Sequence, residues 1–106
     1  MTDKRLSRNE YFVKALINVK SPKQRGALLK YATRDQILTL SEIIVNFLQG
    51  NIKFTSEDQL RDFIKHKRLF RIAGFRGRKS WIKRKQAIID LGKIFIKFLK
   101  VTYSLL

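Results

Sequence analysis

The stretch Thr33–Gly50 reads TRDQILTLSEIIVNFLQG. At 3.6 residues per turn, Ile37, Leu40, Ile44, Phe47 and Leu48 fall along one side, and Leu38 and Val45 lie on another. A helix apolar around so much of its circumference is a buried one. Thr33-Arg34-Asp35-Gln36 opens it with a capping-box pattern, a hydroxyl at the cap and an amide three residues on. Gly50-Asn51 closes it, because glycine supplies the left-handed residue that ends many helices. The stretch predicts a central helix over 34–49, with the rest of the chain packed around it.

Similar signals extend outward in both directions. Ser7-Arg8-Asn9-Glu10 is a capping box before a stripe of Tyr11, Phe12, Ala15, Leu16 and Val19, which predicts a helix over 8–19. Ser21-Pro22 sets an N-cap with proline at the first helical position, and Leu28, Leu29 and Ala32 give the helix 22–32 its apolar side. Ser56-Glu57-Asp58-Gln59 starts a helix over 57–73, with Leu60, Phe63, Ile64 and Phe70 facing inward and Gly74 as its stop. Ser80 caps a last helix over 80–104. There is no Asn-Gly hairpin turn, no sustained alternation of period two and no internal repeat. The expected fold is all-α: one domain over 1–106, a compact bundle of about five helices with a long amphipathic C-terminal helix and a flexible start at 1–6.

Composition narrows the function. With 44% hydrophobic residues the chain can build a core, unlike a disordered one. The absence of cysteine excludes disulfide scaffolds, zinc fingers and thiol chemistry. The polar start MTDKRLSRNE is not expected to act as a secretory signal peptide, and no run of about 18 uncharged apolar residues suggests a membrane span. The formal net charge is +16, with a pI near 10.8. Self-repulsion of that size opposes compaction, so a polyanionic partner is the simplest reason to keep it.

The charge is densest in residues 61–85, RDFIKHKRLFRIAGFRGRKSWIKRK, where 11 residues are Lys or Arg and Asp62 is the only acid. Arg61, Lys65 and Arg68 are spaced i, i+4, i+7, a helical row flanked by Lys67 and Arg71 that can follow a phosphate backbone. The connection carrying Arg76, Arg78 and Lys79 then leads to a helix start at Trp81, Lys83, Arg84 and Lys85. Basic side chains add there to the free N–H groups of the first turn. These twelve are the candidate nucleic-acid-binding residues. Phe75 and Trp81 are candidates for stacking on an unpaired base, or else anchors of the loop to the core. The glycine spacing matches no Walker loop and no dinucleotide fingerprint. The duplex is the favoured target, and phosphate contacts of this kind carry no base code. A helix-turn-helix reader fits less well, since the helix over 34–49 is too apolar to enter a groove.

From Asp90 the chain reads DLGKIFIKFLKVTYSLL. Lys93, Lys97 and Lys100 share a narrow arc, and Leu91, Ile94, Phe95, Phe98 and Leu99 fill much of the rest. Two readings stand: the helix packs within the domain or across a homodimer, or it docks on an anionic membrane with its apolar side down. Gly92 costs the helix up to about 1 kcal/mol and permits a bend.

Nothing in the chain points to catalysis. His66 is the sole histidine and lies in the basic run without an evident carboxylate partner. Glu57, Asp58 and Asp62 could gather a metal, but a place in the first turn of a helix explains the first two more simply. No nucleophile–base pair is evident, and no catalytic residue, metal or cofactor is expected.

The motifs also carry a resemblance. Ala27-Leu28-Leu29-Lys30 with Ala32, then Ile43-Ile44-Val45-Asn46-Phe47-Leu48-Gln49-Gly50-Asn51-Ile52, then Lys65-His66-Lys67-Arg68-Leu69-Phe70-Arg71-Ile72-Ala73, then Lys83-Arg84-Lys85 before the apolar tail, occur in that order. Over residues 22–106 the arrangement resembles small basic proteins encoded near capsid genes in Polinton (Maverick) transposons and adintoviruses. The basic-then-apolar ending is similar to an adenovirus core protein. The resemblance implies a virion-associated or DNA-packaging role, a place in the virion or host nucleus, and capsid protein as a further partner.

Overall fold

The Thr33 capping box forms. In a computed structural model describing residues 3–49, 56–74 and 80–104, Thr33 Oγ1 accepts from the Gln36 backbone N–H at 3.2 Å, and the Gln36 side chain accepts from the Thr33 N–H at 2.9 Å. Eight α-helices and no strand occur among the described residues: α1 Asp3–Arg8, α2 Glu10–Asn18, α3 Pro22–Lys30, α4 Arg34–Leu48, α5 Glu57–Lys65, α6 Lys67–Gly74, α7 Trp81–Leu91 and α8 Lys93–Ser104. The all-α class is as expected, but the number of helices is not. The expected stop at Gly50-Asn51 lies outside the described residues.

Three local features account for the extra helices. A helix not among those expected, α1, precedes α2, and it is tied to α4 by Arg5 Nη1 to Glu42 Oε1 at 2.6 Å and by a two-pronged Arg8–Asp35 pair at 2.9 Å. Asn9, not Ser7, stands before α2; no side-chain cap bond forms, and the Asn9 amide donates to Asp35 Oδ2 and Thr39 Oγ1, each at 2.8 Å. The helix expected over 57–73 breaks at His66, where the ring Nδ1 lies 2.9 Å from the Asp62 carbonyl. A carbonyl only accepts, so Nδ1 carries the proton, and the side chain competes for a carbonyl of the helix. The helix expected over 80–104 breaks at Gly92, whose φ of 58° and ψ of −128° suit glycine alone.

The centre is α4, as its sequence requires. Ile37, Leu40, Ile43, Ile44 and Phe47 are buried on it, together with Thr39, Ser41 and Val45; Leu48 is part-exposed. Helices α6 and α7 pack on each other and both pack on α4. An aromatic cluster fills the space between α4, α5, α6 and α8. The Phe47 ring meets Phe63 and Phe98 edge-on, each at 4.9 Å between centres, and Phe70 lies 5.0 Å from Phe98. Such edge-to-face pairs add about 0.5–1.5 kcal/mol each beyond area burial.

Gly74 plays a different part from the expected one. It is the last residue of α6 and has no positive φ. A Cβ there would come within 2.6 Å of Ile44 Cγ2, so glycine is what lets α6 and α4 approach. The radius of gyration, 12.6 Å, matches the ~13 Å of a compact domain of about 100 residues. The molecule measures 33 × 31 × 24 Å.

Candidate nucleic-acid interface

The helix break at His66 divides the expected cationic row: Arg61 and Lys65 stay on α5, while Arg68 moves to α6 with Lys67 and Arg71. All five are exposed. Arg61 faces Asp58 at 3.4 Å, a solvent-screened pair worth little. Lys65, Lys67, Arg68, Arg71 and, on α7, Lys83 are exposed and enter no ion pair among the described residues. The burial pattern explains why α6 presents its cations outward. Phe70, Ala73 and Gly74 turn to the core, which leaves Arg68 and Arg71 directed away from it, while Lys67 is exposed at the first residue of the helix.

Three acids are engaged elsewhere. Asp35 and Glu42, both on α4, hold Arg5 and Arg8. The Asp35 carboxyl is lowered to about 2, first by the hydrogen bond from Arg8 and then by that from Asn9. Glu10 pairs with Lys14 one turn on.

Two of the expected phosphate ligands are placed otherwise. Arg84 is buried, with 8% of its surface exposed, and burial lowers its pKa. Its Nε has no hydrogen-bond partner among the described residues. Arg84 lies on the packed side of α7 with Ala87, Ile88 and Leu91, so its helical phase points it inward. Lys85 reaches back to the end of α3, where its ammonium donates to the carbonyls of Lys30 and, at 3.3 Å, Ala32. A lysine at the last carbonyls of a helix complements the dipole there. Trp81, half-buried, packs against the core and lies 5.4 Å from the Lys85 ammonium. Arg76, Arg78 and Lys79, with Phe75, lie outside the described residues.

The expected inward face of α5 is only partly inward. Phe63 joins the core, but Leu60 is 43% and Ile64 60% exposed. Beside α5 lies a cavity of about 360 Å³ lined by Phe47, Phe63, Phe70 and Phe98, with Asp58 and Lys97 among its polar lining.

The apolar face expected to meet a membrane or a second copy is interior. Leu91, Phe95, Phe98 and Leu99 are at most 7% exposed and Ile94 is half-buried, while Lys93, Lys97 and Lys100 face solvent. The turn at Gly92 folds α8 back onto the domain, where α8 packs against α2 and α7. Among the described residues no helix is long and apolar enough to cross a membrane. No group of three metal-type side chains gathers there either.

A second basic surface lies outside the denser run of residues 61–85. Residues 11–34 contain no Asp or Glu and carry Lys14, Lys20, Lys23, Arg25, Lys30 and Arg34. The missing acids are the signal that could have found it. There α2, α3 and the start of α4 enclose an open groove of about 620 Å³, lined by Phe12, Val19, Gln24, Ala27, Leu28, Tyr31 and Gln36. Tyr31 stands at its end, 76% exposed, with the Lys30 ammonium 5.4 Å from its ring centre. No protein-family model, curated protein or solved structure matches the chain.

Proposed function

We propose that the chain is a non-enzymatic nucleic-acid-binding protein that holds the phosphates of duplex DNA through α5, α6 and the start of α7. The observation that carries this reading is the set of exposed cations Lys65, Lys67, Arg68, Arg71 and Lys83, which enter no ion pair among the described residues. An unneutralised cluster lowers the stability of the fold that bears it and gains when phosphates replace condensed counterions. The resemblance to basic proteins of Polinton transposons and adintoviruses supports a setting for this binding: packaging or condensing DNA with a capsid, in a virion or host nucleus.

Binding of this kind is read by salt. Neutralising about six phosphates gives a slope of log affinity against log salt near −5 on duplex DNA. A labelled duplex titrated between about 50 and 200 mM salt measures it, and base sequence should change the affinity little. An affinity flat over that range would contradict the proposal.

A further inference from the structure

The groove between α2, α3 and α4 has features that the phosphate-binding helices lack. Its long wall is one stripe of α3, Gln24, Ala27, Leu28 and Tyr31, spaced i, i+3, i+4, i+7. The middle of that stripe, Ala27 and Leu28, is aliphatic, and it ends in a flat ring left 76% exposed. Two amides border it. The Gln36 carbonyl is engaged by the Thr33 N–H, so its NH2 remains as a donor.

The residues next to the lining in sequence are cationic, and the Lys30 ammonium lies 5.4 Å from the Tyr31 ring centre. Lys20 follows Val19, Lys23 precedes Gln24, Lys30 precedes Tyr31, and Arg34 stands two residues before Gln36, all four exposed. The nearest acids by sequence, Glu10 and Asp35, are both ion-paired. A flat ring, a shallow apolar floor, amide groups and exposed cations close by in sequence match the parts of a nucleotide: stacking face, base edge and phosphate. A docked helix would instead ask for several apolar anchor sites in a row.

We propose that this groove holds an unpaired base of a nucleic-acid strand, stacked on Tyr31, with the adjoining phosphates on Lys23, Lys30 and Arg34. The inference rests on the nucleic-acid reading above and adds to it a preference for single-stranded or locally opened segments. In a duplex every base is stacked and paired, so Tyr31 has no face to meet. The Lys85 bonds tie α7 to the end of α3, where Tyr31 follows.

The test compares the whole chain with Tyr31→Ala and Tyr31→Phe on three labelled probes: a thymidine-rich single strand, the same strand with abasic sites, and a duplex of equal phosphate number. Thermal melts confirm that each variant folds, as expected for a side chain so exposed. Tyr31→Ala should weaken single-strand binding by about 5- to 150-fold, the range for loss of one stacked base. Duplex binding and the salt slope should hold within about twofold, and Tyr31→Phe should behave like the parent. The abasic strand should bind the parent as weakly as the intact strand binds Tyr31→Ala.

Equal binding of abasic and intact strands would overturn the groove proposal and leave the phosphate reading standing. So would an equal loss on duplex and single strand. If Tyr31→Ala lost only an acidic amphipathic peptide and no nucleic acid, the groove would be a protein-docking face and the proposal would fall. Absence of salt-dependent binding to any probe would remove both readings together.

Discussion

Phe98→Ala is expected to lower the unfolding free energy by about 3–5 kcal/mol. The Phe98 ring is 7% exposed and lies within about 5 Å of the Phe47 and Phe70 rings. It also lines the 360 Å³ cavity beside α5, so its removal enlarges a space that already exists. A domain of this size has about 5–15 kcal/mol in total, so the variant should sit near its unfolding midpoint in mild denaturant. Urea titration followed by helical circular dichroism reads the change, with the slope on denaturant unaltered. A loss below about 1 kcal/mol would mean that α8 is not seated in the core. Its apolar face would then be free for a membrane or a second copy.

The second large effect concerns binding. Changing Lys65, Lys67, Arg68, Arg71 and Lys83 to glutamine should make the salt slope shallower by about 4–5 units. Duplex affinity near 0.1 M salt should fall by on the order of 10³-fold or more. Each of these side chains is exposed and unpaired among the described residues. The fold should therefore survive, and the melting temperature should hold or rise as repulsion is relieved. Arg84 and Lys85 are left out deliberately. One is buried and the other closes the end of α3, so changing them would confound loss of binding with loss of structure. A fivefold loss with an unchanged slope would move the phosphate contacts off these helices.

Much of the fold could be read from short-range signals. Ser21, Thr33, Ser56 and Ser80 each cap a helix as their sequence suggests, and each accepts from the backbone N–H three residues on. The stripe on α4 was legible because apolarity on more than one side demands burial from more than one side. What could not be read depends on partners distant in sequence. Asn9 ends a helix because Asp35 and Thr39 receive its amide, 26 and 30 residues away. Gly74 looked like a cap because its close neighbour Ile44 is on another helix. Lys83, Arg84 and Lys85 are adjacent and alike in charge, yet one is exposed, one buried and one bonded to α3. Helical periodicity orders such residues around an axis but does not say which way the axis is turned.

Under the proposed function, the size of the molecule set against its charge predicts a stoichiometry. Duplex DNA carries one charge per about 1.7 Å of axis, so the 33 Å span of one molecule lies along roughly 19 phosphates, or about ten base pairs. The chain brings a formal +16 to that length. Copies laid end to end would therefore leave a duplex nearly without net charge, and neighbouring coated duplexes would have little reason to stay apart. Under the proposed function, electrophoretic mobility of the DNA should approach zero near one chain per ten base pairs. Mobility that stalled well short of zero at that ratio would point instead to isolated sites.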